Sequence, residues 1–254
     1  MRCSRTPRPP IDSSLQFTFD APALDDNAVW SPDGQEILFA STRNGEVRNL
    51  YRKKANNAEP AELVLATDHA KVPTDWSRDG HYLLYTEGPG PWRVWALPLR
   101  GERTPIPYLD APFDESGARF SPDGRWVAYT SAEADTFRVN VQPFPHGGGK
   151  WQVSVSEGPA CHPRWRGDGR ELFYTTGTAI WAVDVDTSTP PTLTMGAPRK
   201  LFDANVLYAG SPVNTGYDVT PDGQRFLLIA QNTSATRLNR PIRVVLNWTT
   251  PSGS

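Results

Sequence analysis

Trp30-Ser31-Pro32-Asp33-Gly34, followed at once by Ile37-Leu38-Phe39, is the first of five copies of one pattern in this chain of 254 residues. In each copy an apolar or aromatic residue leads into a Ser/Thr/Arg-x-Asp-Gly turn, and an apolar run follows. The Asp-Gly pairs recur about every 45 residues, farther apart only before the last copy, which is the period of a repeat fold. The other four copies are Trp76-Ser77-Arg78-Asp79-Gly80, Phe120-Ser121-Pro122-Asp123-Gly124, Trp165-Arg166-Gly167-Asp168-Gly169 and Val219-Thr220-Pro221-Asp222-Gly223.

Each copy predicts two antiparallel strands joined by a tight turn. Proline fixes φ at the second turn position, Asp bonds its own backbone two residues on, and Gly accepts the positive φ that closes the hairpin. The strand after each turn is apolar on both faces, which is typical of a strand covered on both sides. We therefore expect each unit to pack between two others.

A third and a fourth strand follow most hairpins. The third strands are predicted from β-branched or aromatic runs such as Arg93-Val94-Trp95-Ala96-Leu97, and the fourth strands from short runs such as Trp151-Gln152-Val153-Ser154-Val155 and Arg199-Lys200-Leu201-Phe202. Four antiparallel strands repeated radially form a blade of a β-propeller. The sequence thus predicts an all-β protein, a β-propeller of five four-stranded antiparallel blades.

The two ends of the chain predict how the ring closes. The last unit has no residues left for a fourth strand, while the alternating segment 15–19 near the start has no unit of its own. We expect segment 15–19 to add to the outside of the last blade, which removes an exposed sheet edge. An open arc, or part of a larger propeller, is the alternative.

Composition predicts one domain with no strongly charged face. The repeat favours a single propeller over residues 15–249, with a basic, proline-rich tail over 1–14 and a short tail over 250–254. Net charge is −2 with interspersed charges, so we expect neither nucleic-acid binding nor a basic membrane surface. No signal peptide or apolar membrane span is recognisable. Taken from Met1, the chain is expected in the cytoplasm, or in the periplasm if it is a fragment of a membrane-anchored sensor.

The repeat resembles the WD-like repeat of TolB-type β-propellers. More narrowly, some stretches resemble the C-terminal propeller of bacterial Ser/Thr protein kinase sensor proteins, a resemblance that implies a partner-docking or sensing role. In that family a kinase domain and a membrane helix precede the propeller, so a truncated or stand-alone copy is implied. These stretches include Phe144-Pro145-His146-Gly147-Gly148-Gly149, Pro163-Arg164-Trp165-Arg166-Gly167-Asp168-Gly169, Tyr217-Asp218-Val219-Thr220-Pro221-Asp222-Gly223 and Val244-Val245-Leu246-Asn247-Trp248.

Catalytic and metal-binding patterns are weak in this sequence. No kinase signature and no Gly-x-Ser-x-Gly nucleophile elbow occurs. The four histidines lack metal spacing, and we expect each to be a solvated loop residue. The turn aspartates are explained by their local turn geometry, so no metal and no cofactor are predicted. The aromatic column Trp30, Trp76, Phe120 and Trp165 is either a stacking platform for a ligand or core between blades, and we favour core.

A binding site, if present, is expected at one mouth of the central channel. In a propeller the connections between blades and the loops between second and third strands meet there, and such mouths are common binding places. We expect a protein or peptide partner there, or a polar small molecule, and a monomeric chain. The candidate residues are Asp25, Asp26, Asn27, Arg43, His69, Trp92, Asp114, Glu115, His162 and Asn214.

Two classes of function remain open from the sequence. The first is a non-catalytic interaction or ligand-sensing module. The second is an enzyme similar to five-bladed glycoside hydrolases, in which two carboxylates face each other across the channel about 5 to 10 Å apart. Asp26 with Asp114 or Glu157 is the candidate pair for that chemistry.

Overall fold

The computed structural model describes residues 17–18, 22–133, 136–145, 149–155, 158–188, 192–207 and 215–229, together with the backbone of 243–245. Every regular element within these residues is a β-strand, and the strands form five antiparallel sheets in chain order. The all-β architecture predicted from the repeat is therefore confirmed.

Each sheet begins with the strand that precedes an Asp-Gly turn. Sheet 1 contains β1 (Asp25–Trp30), β2 (Glu36–Ser41), β3 (Asn49–Lys54) and β4 (Glu62–Leu65). Sheet 2 contains β5 (Ala70–Trp76), β6 (Tyr82–Gly88), β7 (Arg93–Pro98) and β8 (Ile106–Leu109). Sheet 3 contains β9 (Glu115–Phe120), β10 (Trp126–Glu133), β11 (Thr136–Pro143) and β12 (Trp151–Gln152).

The last two sheets depart from four strands. Sheet 4 contains β13 (Cys161–Trp165), β14 (Glu171–Thr175), β15 (Ala179–Asp186), β16 (Thr194–Met195) and β17 (Arg199–Asp203). Its long third strand β15 pairs with β17 at its start and with β16 at its end, and β16 was not predicted. Sheet 5 contains β18 (Tyr217–Val219), β19 (Phe226–Leu228) and β20 (Arg243–Val245).

The turns owe their shape to a repeated side-chain network. In the first turn, Ser31 Oγ donates to Asp33 Oδ1 (2.6 Å) and accepts from the Glu36 amide (2.8 Å). Asp33 Oδ1 also accepts from the Gln35 amide (3.0 Å), and Gly34 has a φ of 69°. Equivalent contacts close the second, third and fifth turns. Hydrogen bonds within the turn thus account for these aspartates, as expected from the sequence.

The fourth turn replaces Ser with Arg166. Its guanidinium donates to both carboxylate oxygens of Asp168, at 2.8 and 2.7 Å. These hydrogen bonds lower the pKa of Asp168 to about 2. A bidentate ion pair thus stabilises the fourth turn in place of the serine hydroxyl.

The aromatic column packs each sheet against the one before it. Trp76 of sheet 2 lies in one buried cluster with Leu38 of sheet 1, and Phe120 of sheet 3 packs with Leu84 of sheet 2. Trp165 packs on the cluster between sheets 3 and 4, and Val219 on the cluster between sheets 4 and 5. Burial of such side chains is the main stabilising term in stacked sheets. Trp76 and Phe120 are buried between blades, as predicted from the sequence, and Trp165 is half-buried.

For Trp30, the first residue of this column, the predicted burial between blades is wrong, because its side chain is 58% exposed. Its packing partner would come from sheet 5, where Leu227 occupies the position of Leu38 and Leu84. Leu227 is 42% exposed and Ile229 is 46% exposed. The contact that closes the other seams is therefore not made between Trp30 and Leu227.

Phe17 lies over the outer part of sheet 1 at the same seam. Phe17 packs against the cluster of Ile37, Phe39 and Tyr51, on the face of sheet 1 that points away from sheet 2. Its carbonyl accepts a hydrogen bond from Lys53 Nζ at 3.0 Å. An outer strand of a last blade would lie on this face. The predicted pairing of segment 15–19 with 242–248 mostly falls outside the described residues, so it stays a prediction.

Candidate functional site

The inner strands of all five sheets line one cavity of about 460 Å³. Its wall includes residues of β1, β5, β9, β13 and β18, so it is the central channel of the propeller. At the position just before the aromatic column, four of the five sheets place a charged side chain on this wall. We call Asp75, Arg119, Arg164 and Asp218 the channel quartet.

The channel quartet forms two ion pairs. Arg119 lies 3.6 Å from Asp75, and Arg164 lies 3.2 Å from Asp218. Asp75 also accepts a hydrogen bond from the Phe120 amide at 2.8 Å. Two acids and two bases give a formal charge of zero, so the channel attracts neither sign of charge strongly.

Desolvation acts on the central pair of the quartet. Burial raises the pKa of Asp75, against the stabilising contacts with Arg119 and the Phe120 amide. Burial, with the Arg164 charge nearby, lowers the pKa of Arg119 to about 10. Arg119 Nε is buried, and it has no hydrogen-bond partner within the described part of the chain. A buried donor without a partner is energetically costly, because it has lost its hydrogen bonds to water.

The turn end of the channel is bridged across its width. The quartet also lines a second cavity of about 230 Å³ on the side of the Asp-Gly turns. There Arg78, which replaces the proline of the first turn, donates to the Gly167 carbonyl of sheet 4 at 3.1 Å. The Gly167 amide in turn donates to the Pro221 carbonyl of sheet 5 at 2.7 Å. The channel is thus a cup whose base is the quartet and this bridge.

Positive φ values and β-bulges in the inner strands shape the wall of the cup above the channel quartet, on the side away from the Asp-Gly turns. Asn27, Gly117 and His162 share one position of the repeat, three residues before the aromatic column, and have φ values of 52°, 63° and 57°. The strand register shifts beside each of them. Such bulges re-aim side chains, and Asn and Gly tolerate this conformation best. Two predicted site residues, Asn27 and His162, therefore line the cavity.

His162 corrects the expectation of a solvated loop histidine. It lies within β13 and is only 3% exposed. Its amide donates to Thr130 Oγ1 at 3.0 Å, and its carbonyl accepts from the Tyr217 hydroxyl at 2.6 Å. Burial lowers the pKa of His162 to about 3, so the imidazole is neutral at physiological pH. His69 and His81, by contrast, are exposed as expected.

The predicted acidic residues of sheet 1 are already neutralised. Asp25 pairs with Arg43 at 3.2 Å, and Asp26 pairs with Arg48 at 2.9 Å. The Arg43 guanidinium also stacks over the Phe39 ring, 5.0 Å from its centroid. Asp25, Asp26 and Arg43 are therefore bound within sheet 1 and do not line the channel cavity.

The predicted residues of sheets 2 and 3 form a separate group at the loop end. The Trp92 amide donates to Asp114 Oδ1 at 2.8 Å, and the Glu115 amide donates to the Trp92 carbonyl at 2.8 Å. Burial raises the pKa of Glu115 to about 7, against the Ala111 amide that donates to its carboxylate. His69 lines another cavity, of about 570 Å³. Asn214 and Glu157 lie outside the described residues.

The channel quartet was missed at the sequence level, although its repeat position is readable. Adjacent residues of a strand point to opposite sides, so the residue before each buried aromatic leaves the sheet-to-sheet core. Aligning the five copies at this position would have given Val29, Asp75, Arg119, Arg164 and Asp218.

The part of the chain that the structure describes contains no group of three or more His, Cys, Asp or Glu side chains arranged to hold a metal ion. It also contains no helix with the length and apolarity needed to cross a membrane.

Solved structures resemble this chain over most of its length. TolB from Acinetobacter baumannii is 19% identical with a TM-score of 0.63, covering 84% of this chain and 49% of that protein. A putative TolB from Agrobacterium tumefaciens is 20% identical with a TM-score of 0.63, covering 89% of this chain and 78% of that protein. The fold is a TolB-like β-propeller. At these identities the similarity establishes the fold alone.

Other comparisons are less informative about activity. No protein-family model matches the chain. An uncharacterized protein of Agrobacterium fabrum, Atu1656, is 24% identical over 156 residues. The chain's matched region spans 52% of that relative, about half its length. A gluconolactonase from Xanthomonas campestris is also similar in structure, with 15% identity, a TM-score of 0.52, and coverage of 80% of this chain and 68% of that protein.

Proposed function

We propose that this TolB-like propeller is a non-catalytic interaction or ligand-sensing module that receives part of a partner in its channel cup. The observation that carries the proposal is the cavity shared by all five inner strands, with a base made of paired charges. A concave site with a few convergent polar groups is the usual form of a binding site. The polar wall of Asn27 and Thr215, beside the paired charges of the channel quartet, suits a peptide or a polar small molecule.

The module is further proposed to be a stand-alone or truncated relative of kinase-associated sensor propellers. Its support is the likeness of the third to fifth repeats to those propellers. In such a protein the channel cup would be the sensing end, and its occupant would be the signal.

The proposal is tested by blocking the cup with one side chain. Ala28 is exposed and lines the cavity, so Ala28→Arg places a long side chain in the cup with little effect on the sheet. Dodecapeptides selected from a random phage-displayed library would be synthesised and their Kd measured by calorimetry. We expect Ala28→Arg to weaken binding at least tenfold, about 1.4 kcal/mol.

The matched control is Ala58→Arg, at an exposed alanine in the turn between β3 and β4. It should leave the Kd unchanged. Equal Kd values for the two arginine variants, or a library that yields no binding peptide, would contradict a binding cup.

A hydrolase similar to glycosidases is the second candidate. The observation in its favour is that Asp75 and Asp218 line the same cavity and that burial raises the pKa of Asp75, as in a general acid. The acids predicted from the sequence favour it less, because Asp26 does not line the channel cavity. Hydrolysis of a polysaccharide panel that disappears in Asp75→Asn would support the enzyme over the binding module.

A further inference from the structure

The cavity that His69 lines belongs to sheet 2 and shares no lining residue with the channel cup. Its volume of about 570 Å³ lies within the range of about 300–1,000 Å³ that is usual for small-molecule sites. All the residues around it are among those that the structure describes. We call it the sheet 2 cavity, and its lining includes His69, Tyr85, Glu87, Pro89, Arg93 and Trp95.

Tyr85 and Trp95 form the aromatic wall of the sheet 2 cavity. They lie opposite each other on β6 and β7, and their rings are stacked with centroids 6.5 Å apart. Tyr85 is buried, whereas Trp95 is half-buried, so the indole is the part of this wall that a ligand can contact. The negative face of an aromatic ring attracts planar cations and polarised C–H groups.

Sheet 1 shows what covers the same pair of positions when the space is filled. Phe39 and Tyr51 are the equivalent residues there, and their rings are also stacked. The guanidinium of Arg43 lies over both rings, 5.0 and 4.6 Å from their centroids. In sheet 2 the position of Arg43 is taken by Pro89, whose side chain is too short to extend over the rings. The sheet 2 cavity thus leaves to a ligand the place that a side chain fills in sheet 1.

The charges at the sheet 2 cavity are balanced, which favours an uncharged ligand. Glu87 lies 3.6 Å from the buried Lys71 Nζ, and Arg93 is paired with Asp110 at 2.8 Å. A cationic ligand placed like Arg43 would share the cavity with the positive charge of Arg93. An anionic ligand would share it with Glu87. An uncharged ligand meets neither repulsion.

The polar groups that a ligand can reach are those of Arg93 and His69. The Arg93 side chain is 31% exposed, and His69 is exposed. A guanidinium donates hydrogen bonds, and an imidazole can donate or accept them. A pyranose ring combines an apolar face of C–H groups with hydroxyl groups that both donate and accept. It therefore complements the indole and the two polar side chains at once.

We infer that the sheet 2 cavity binds one pyranose unit of an uncharged saccharide, stacked on Trp95 and hydrogen-bonded to Arg93 and His69. The site is separate from the channel cup, so this inference goes beyond the proposed function and does not depend on it.

The test presents a panel of uncharged methyl pyranosides and disaccharides to the full chain. Binding is detected by saturation-transfer NMR, and Kd is measured by calorimetry. Uridine, adenosine and arginine amide are included as compounds that could also stack on an indole. We expect at least one saccharide to bind saturably and more tightly than these three compounds.

Two variants locate the binding. Pro89→Arg places at an exposed position the arginine that covers the ring pair of sheet 1, and it should weaken saccharide binding about tenfold or more. His69→Ala removes one hydrogen-bonding group and should weaken binding about threefold or more. Thermal melting should be unchanged in both variants, because the substituted side chains are exposed.

The matched controls are Pro60→Arg and His81→Ala. Pro60 is exposed between β3 and β4, His81 is exposed beside the second Asp-Gly turn, and neither lines the sheet 2 cavity. Both variants should bind the saccharide as the wild type does. Ala28→Arg should also bind it unchanged, because Ala28 lines the channel cup.

Three results would overturn the inference. The first is a panel in which no saccharide binds. The second is a nucleoside or arginine amide that binds more tightly than every saccharide and is lost with Pro89→Arg, which would assign the cavity to another class of ligand. The third is saccharide binding that is lost with Ala28→Arg and kept with Pro89→Arg, which would place the sugar in the channel cup.

Discussion

Glu115 is buried at the start of β9, and burial raises the pKa of its carboxyl to about 7. Lys150 and Arg93 act against this increase, and Glu133 adds to it. Because the folded-state pKa lies above the unfolded value of 4.5, folding favours the protonated form. Stability from this group is complete below pH 4.5 and is lost as the pH rises towards 7.

Glu115→Gln should therefore remove a pH dependence. Gln keeps an oxygen acceptor for the Ala111 amide but does not ionise. Relative to the wild type, the variant should gain about 3 kcal/mol in the free energy of unfolding between pH 4.5 and pH 8. Urea unfolding at several pH values measures this difference. Parallel curves for the two proteins would show that Glu115 ionises as freely in the folded state as in the unfolded chain.

At the residue scale, the sequence was informative where the local backbone decides the outcome. Asp33 and Gly34 have turn partners within five residues, so their role was readable from the pattern. The burial of His162 was not readable, because it depends on Thr130 and Tyr217 from two other sheets. The channel quartet was missed because hydropathy does not distinguish a channel wall from a solvated surface.

At the scale of the sheets, Trp76 and Trp30 are equivalent in sequence and different in environment. Trp76 is buried between sheets 1 and 2, whereas Trp30 is 58% exposed at the seam between sheets 5 and 1. Trp76→Ala should lower the free energy of unfolding by about 3–5 kcal/mol, the usual cost of emptying an aromatic core position. Trp30→Ala should cost less than about 1 kcal/mol. Chemical denaturation of the two variants gives both values.

A loss at Trp30 as large as the loss at Trp76 would mean that the seam is packed in solution like the other four. The sequence alone could not separate the two tryptophans, since each precedes the same Ser-x-Asp-Gly turn. What differs is the neighbouring sheet. Sheet 2 meets a complete sheet 1, while β1 faces the short strands of sheet 5.

At the scale of the whole molecule, the repeat period and the turn chemistry predicted the five sheets, their order and their antiparallel pairing. These features depend on local patterns that recur in each unit. The closure of the ring depends on one long-range pairing between the chain ends, and no local pattern determines it. Phe17, packed on the seam face of sheet 1, is the described residue that bears most directly on this closure.

The central claim is that five sheets surround one channel, so that sheet 5 lies beside sheet 1. Spin labels at Trp30→Cys and Leu227→Cys, in a Cys3→Ser background that leaves buried Cys161 unlabelled, measure this by double electron–electron resonance. Because both residues line one cavity and packed sheets lie about 10 Å apart, the ring predicts a label distance below about 20 Å. A linear stack would separate the first and fifth sheets by four such spacings, and a distance near 40 Å would contradict the ring.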